Sequence, residues 1–126
     1  MQEERKAMII ETERIYDVPR KKGGYRVLVD RLWPRGLRKD EVHVDLWLKD
    51  IAPSTELRKW FAHEPAKWER FKRRYFKELA GKQDVVNQLI NDAKSRPIVL
   101  LYGARDTERN QAVVLKAYIE ERRLEA

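Results

Sequence analysis

The sequence predicts a small α/β domain, a mainly parallel sheet of about three or more strands flanked by helices. Two apolar runs, "VLV" at 27–29 and "IVLLY" at 98–102, show no polar alternation, which is the mark of strands covered on both faces. Between them the apolar period lengthens from two residues to about 3.6, as on helices packed against a sheet. A length of 126 residues suits one domain with one core.

Each element has its own local reason. "MIIETERIY", 8–16, alternates weakly and makes the first strand, and "DVPRKKGG" then supplies proline, two glycines and charge for a turn. "YRVLVD", 25–30, is the second strand. Beyond residue 39, Val44, Trp47, Leu48 and Ile51 fall at i, i+3, i+4 and i+7 and predict a helix that "APS" at 52–54 ends. Ser54 caps the next helix, with Glu56 in its first turn and Leu57, Trp60 and Phe61 on one side. Pro65 takes a first helical position, and Trp68, Phe71, Tyr75 and Leu79 mark one face of a longer helix that Gly81 stops. Asp84 opens another, carrying Val85, Val86, Leu89, Ile90 and Ala93 to the breaker "SRP" at 95–97. "IVLLY" is then a central strand with neighbours on both sides, in the same sheet as Val27 to Val29. "GARDT" turns out of it, and Asp106 or Thr107 caps a final helix with Ala112, Leu115, Tyr118 and Ile119 inward. The domain runs from 8 to 120, with terminal extensions at 1–7 and 121–126.

Composition removes several function classes. The 126 residues contain no cysteine, so disulfides, thiol nucleophiles and thiolate metal sites are excluded, and a reducing, cytoplasmic setting fits. No apolar stretch approaches the roughly 20 residues that span a bilayer, so no membrane partner is expected. His43 and His63 are the only histidines and lack the spacing of a metal-binding helix; no metal and no cofactor is predicted.

Lys and Arg number 28 against 21 Asp and Glu, a net charge of +7. The stretch from Arg20 to Lys39 holds eight bases and one acid, which equals that whole excess, and a second basic run, "KWERFKRRYFK", lies at 67–77. Such a balance favours an anionic partner, from a phosphate group to nucleic acid. A charged fraction of 39% is also what a strongly solvated surface carries.

In open parallel sheets ligands bind outside the carboxyl ends of the strands, and two charge-rich turns, "DRLWPRG" at 30–36 and "YGARDTERN" at 102–110, lie at such ends. They are expected to face each other across one crevice. Arg31, Arg35 and Arg105 offer forked donors suited to carboxylate or phosphate, and Gly103 admits close backbone approach near a helix N-terminus. Trp33, before a proline and on no helical stripe, is expected to wall or lid the crevice. Asn110 and Gln111 either reach into it or hold the neighbouring loop. The alternative is that Asp30, Arg31, Arg105 and Asp106 pair with one another and tie the two strand ends together.

"GYRVLVDRLWPRGL", "LWLKDIAPSTELRKWFAHEPAKWERFKRRY" and "LLYGARDTERNQAVVL" together resemble the YeaO-like branch of the DUF488 family, over a span from about Met8 to Glu120. The resemblance implies a compact α/β fold in a cytoplasmic bacterial or archaeal protein and brings no established reaction. Other branches, as the resemblance is usually described, place a cysteine at the end of the strand corresponding to "IVLLY"; this chain has Tyr102 there. Cysteine-based oxyanion chemistry is thereby excluded, and any catalysis falls to Tyr102, to Asp30 or Asp106 as general base, or to a bound water.

Three functions from different classes follow: binding of a small anionic ligand at the crevice; non-specific nucleic-acid binding through residues 20–39 and the "KRR" of the long helix, or a regulatory role, for which no helix-turn-helix pattern is found; and a structural or partner-binding module whose crevice is filled by its own ion pairs.

Overall fold

A computed structural model describes residues 8–17 and 23–125, with side chains through 122. Four strands, β1 (Ile10–Arg14), β2 (Tyr25–Leu28), β3 (Leu46–Trp47) and β4 (Ile98–Tyr102), form one sheet in the order β1-β4-β2-β3, with every pairing parallel. Thr12 and Val27 flank Leu100 on the central strand. The ladder runs past the strand ends, the Ile15 N–H donating to the Tyr102 carbonyl at 2.7 Å and the Val29 N–H to that of Leu101 at 3.0 Å.

Helices α1 (Thr55–Phe61), α2 (Trp68–Ala80), α3 (Gln83–Ala93) and α4 (Gln111–Glu125) complete the domain. Val27, Val29, Leu100 and Tyr102 share one core with residues of all four, including Phe61, Tyr75, Leu89 and Leu115. The opposite face is covered differently. Ile15, Leu28, Val99 and Leu101 are buried there beneath Trp33, Leu37, Val42 and Val44 from the connection between β2 and β3, and beneath Trp47 of β3. Both faces of β4 are therefore dry, which is why "IVLLY" needs no alternation.

The helix expected over Val44, Trp47, Leu48 and Ile51 does not form. Its place is taken by the two-residue strand β3 between single 3-10 turns at Lys39–Glu41 and Lys49–Ile51. The cause is the open edge of β2: the Asp45 N–H donates to the Arg26 carbonyl at 2.8 Å, the Leu48 N–H to that of Leu28 at 2.9 Å, and the Asp45 carboxylate accepts from the Arg26 N–H at 2.8 Å. Val42, Val44 and Leu46 are half-buried while His43 and Asp45 are exposed, so a period of two competed with the helical one in the same residues and prevailed.

Two helix starts also differ from expectation. Pro65 opens a 3-10 turn and α2 proper begins at Trp68. The final helix begins at Gln111 rather than behind Asp106 or Thr107: the Asp106 carboxylate accepts from the Glu108 and Arg109 N–H groups, which adds a turn to the loop, and Asn110 Oδ1 then caps α4 by accepting from the Val113 N–H at 3.1 Å. Ser54 caps α1 as expected, its hydroxyl accepting from the Leu57 N–H at 3.1 Å.

Candidate functional site

A crevice of about 370 Å³ opens at the carboxyl ends of β2 and β4. The chain just past β2 delivers Asp30 and Arg31, the loop behind β4 delivers Arg109 and Asn110, α4 opens with Gln111, and α1 delivers Arg58 and Lys59. The segment Ala52–Pro53 closes one wall, Phe61 and Phe71 supply an apolar surface, and His63 stands at the rim.

Asp30 is the pivot. Its backbone carbonyl accepts from Trp47 Nε1 at 2.8 Å, its Oδ2 accepts from the Gly103 N–H at 2.9 Å, and its Oδ1 accepts from the Gln111 side-chain amide. A Cβ at Gly103 would lie 3.0 Å from Asp30 Oδ2, so glycine is what lets the β4 backbone come this close. Burial pushes the Asp30 carboxyl up to about 6, against the pull of the Gly103 N–H, the Gln111 amide and the Arg58 charge. All three bonds tie the ends of β2 and β4 to β3 and α4.

The cations are held differently. Arg31 Nη2 donates to the carbonyls of Ala52 at 3.4 Å and Pro53 at 3.2 Å, while its Nε is buried without an acceptor. Arg109 Nη1 lies 3.4 Å from Asp106 Oδ2. Arg58 and Lys59 are exposed. Among the described residues no ion pair joins Asp30 to Arg31, or either of them to Arg105 or Asp106, so the clamp set out as the alternative is not formed.

The remaining sequence candidates lie elsewhere. Trp33 does not line the crevice; its indole N–H donates to the Leu37 carbonyl at 2.6 Å and its ring meets Trp47 edge-on at 5.4 Å, on the other face of the sheet. Arg35 is exposed, and its carbonyl accepts from the Tyr16 hydroxyl. Arg105 is also exposed, and Arg109, four residues further along the same loop, is the arginine of that loop that lines the crevice. Tyr102 is buried in the helical core, and burial raises its hydroxyl above the usual phenol range. The Glu108 and Arg109 backbone N–H groups hold Asp106 below the ordinary carboxylate range, which makes it a poor base. No group of three or more metal-ligating side chains occurs among the described residues.

Arg58, Lys59 and Arg109 were not singled out from sequence, where His63 figures only as a metal ligand or a local cap. In "TELRKWF" the two cations sit between inward-facing Leu57 and Trp60, a pattern shared by any solvated helix face. The one local hint is backbone: Ala62 and His63 both take left-handed conformations, φ 48° and 58°, and turn the chain back at the crevice rim.

Residues 9–126 match a family described as the inactive DUF488-N3 subclade. The chain belongs to that family. It is 44% identical to the uncharacterized protein YeaO of Escherichia coli strain K12 over 112 residues, which is 89% of this chain and 97% of YeaO. It is 47% identical to the uncharacterized protein Rv3073c of Mycobacterium tuberculosis strain H37Rv over 70 residues, 56% of this chain and 59% of that protein. No solved structure matches the chain. Among the described residues no helix is long and apolar enough to cross a membrane.

Proposed function

We propose that the crevice binds a small molecule bearing a phosphate or carboxylate group and does not turn it over. The observation that carries this reading is the convergence of Arg31, Arg58, Lys59 and Arg109 on one concave site that contains a single carboxylate, Asp30. In a partly dry cleft, guanidinium and ammonium groups bind oxyanions through charge-assisted bonds, and the N-terminus of α4, where Asn110 and Gln111 stand, adds a partial positive charge. Binding without reaction is supported by the subclade's description as inactive, by the lack of any cysteine in the 126 residues, and by the burial of Tyr102 in the core, away from the crevice lining. The test is calorimetric titration with inorganic phosphate. The parent protein is expected to bind, and Arg58→Ala combined with Lys59→Ala to weaken binding by about tenfold or more, the loss of one charge-assisted bond or its equivalent. No heat and no thermal shift with phosphate in the parent would overturn the reading.

A second reading, docking of a polyanion such as nucleic acid, is favoured by one feature. Arg70, Arg73, Arg74 and Lys77 lie at i, i+3, i+4 and i+7 on α2, and all are exposed. Each like-charge neighbour there costs the helix a few tenths of a kcal/mol. The basic stretch 20–39 supports this reading less, because Arg26 is buried and paired with Glu13 at 3.2 Å; residues 20–22 of that stretch lie outside the described residues. If α2 docks on phosphates, a log–log plot of duplex affinity against salt should have a slope of about −3 to −4 for four contacts, falling by about 2 in Arg73→Ala with Lys77→Ala.

A further inference from the structure

Asp30 poses a question that anion binding alone leaves unanswered. An oxyanion site has no use for a carboxylate in its wall; like charge there weakens the ligand it is built to hold. Yet Asp30 is half-buried, forms no ion pair among the described residues, and lies in the crevice among four cations. Its two recorded partners, the Gly103 N–H and the Gln111 amide, are neutral and use one acceptor site on each oxygen. An ionised carboxylate offers about four such sites, so capacity for two further donors remains. The tie from β2 to the Gly103 N–H of β4 needs one acceptor oxygen, which an asparagine supplies at a smaller desolvation cost than an ionised carboxylate.

We propose that the ligand of this crevice is amphoteric, with a primary ammonium beside its phosphate or carboxylate, the ammonium taken by Asp30 and the anionic group by Arg58, Lys59 and Arg109. This inference rests on the anion-binding reading and names the class of molecule that uses it. The volume of about 370 Å³ admits a small metabolite, and Phe61 and Phe71 face its carbon skeleton. The crevice can take an ammonium at Asp30, which lies beside Arg31 past the end of β2, and an anionic group at the cations that come from α1 and the loop ahead of α4. A plain anion leaves the two remaining acceptor sites of Asp30 unused; an amphoteric one fills them with its ammonium N–H groups.

The experiment is calorimetric titration at pH 7.5 with O-phosphoethanolamine and, separately, ethyl phosphate, which shares the phosphoester and lacks the ammonium. The parent protein is expected to bind O-phosphoethanolamine about tenfold more tightly, the contribution of one charge-assisted hydrogen bond. Asp30→Asn, whose fold is checked by thermal unfolding, is expected to erase that preference and to bind ethyl phosphate at least as well as the parent. Equal binding of the two probes by the parent, or a preference that survives Asp30→Asn, would overturn the inference while leaving the anion reading intact. Failure of both probes to bind would overturn both.

Discussion

At Asp30 a single carboxyl links stability to pH in a direction opposite to most surface acids. Its value in the folded protein is about 6, against 3.8 when unperturbed, so the folded state binds the proton more tightly than the unfolded state does. Stability from this group is complete below 3.8, falls as pH rises between the two values, and by pH 7 has fallen by about 3 kcal/mol. Asp30→Asn keeps an acceptor for the Gly103 N–H and removes the titration. The variant should match the parent in stability near pH 4 and exceed it at pH 7 to 8, by about 1–3 kcal/mol in chemical denaturation; an unchanged difference across that range would show that Asp30 is not desolvated. Gly103→Ala should destabilise by about 1 kcal/mol or more, because its Cβ must push against the Asp30 carboxylate on the neighbouring strand end. Asp30, Arg31, Asn110 and Gln111 were legible in the sequence because each adjoins a strand end or helix start that is itself legible. Arg58, Lys59 and Arg109 were not, because their approach to the crevice is set by where α1 and an added turn of loop pack, and neither leaves a local mark.

The segment from 29 to 48 is the element whose role the sequence hid. Trp33 looked like a crevice wall because it stands in a loop after a strand, beside arginines. In the fold it serves as roof for the sheet face that no helix covers, together with Trp47. Trp33→Ala should therefore cost roughly 2–3 kcal/mol, somewhat less than for a fully buried tryptophan, and leave the affinity for phosphate unchanged. A strong loss of phosphate affinity in a folded Trp33→Ala protein would return that residue to the site. The long apolar strand and the helices with single clear stripes were readable, since one period dominated in each. Residues 42–51 carried two periods at once, and the backbone groups of the β2 edge decided between them.

On the scale of the whole molecule, four helices on one face and a folded-over loop on the other leave the carboxyl ends of β2 and β4 as the place where unlike elements meet. β4 lies between β1 and β2 and is buried at every position, so its amides should exchange only on global unfolding. The central place of β4 and its burial on both faces followed from apolar runs, whereas the position of β3 in the sheet and the charge arrangement of the crevice required the tertiary structure, which brings α1 against residues some 30 positions earlier in the chain.

The central claim, that this junction is an anion site, is tested most directly by titrating the 15N-labelled protein with inorganic phosphate and following its amide shifts. The account predicts saturable changes at Arg31, Ala52, Ala104, Asn110 and Gln111, with Trp33, Trp47 and the exposed face of α2 unmoved. Changes confined to residues 70–77, or none that saturate, would contradict it.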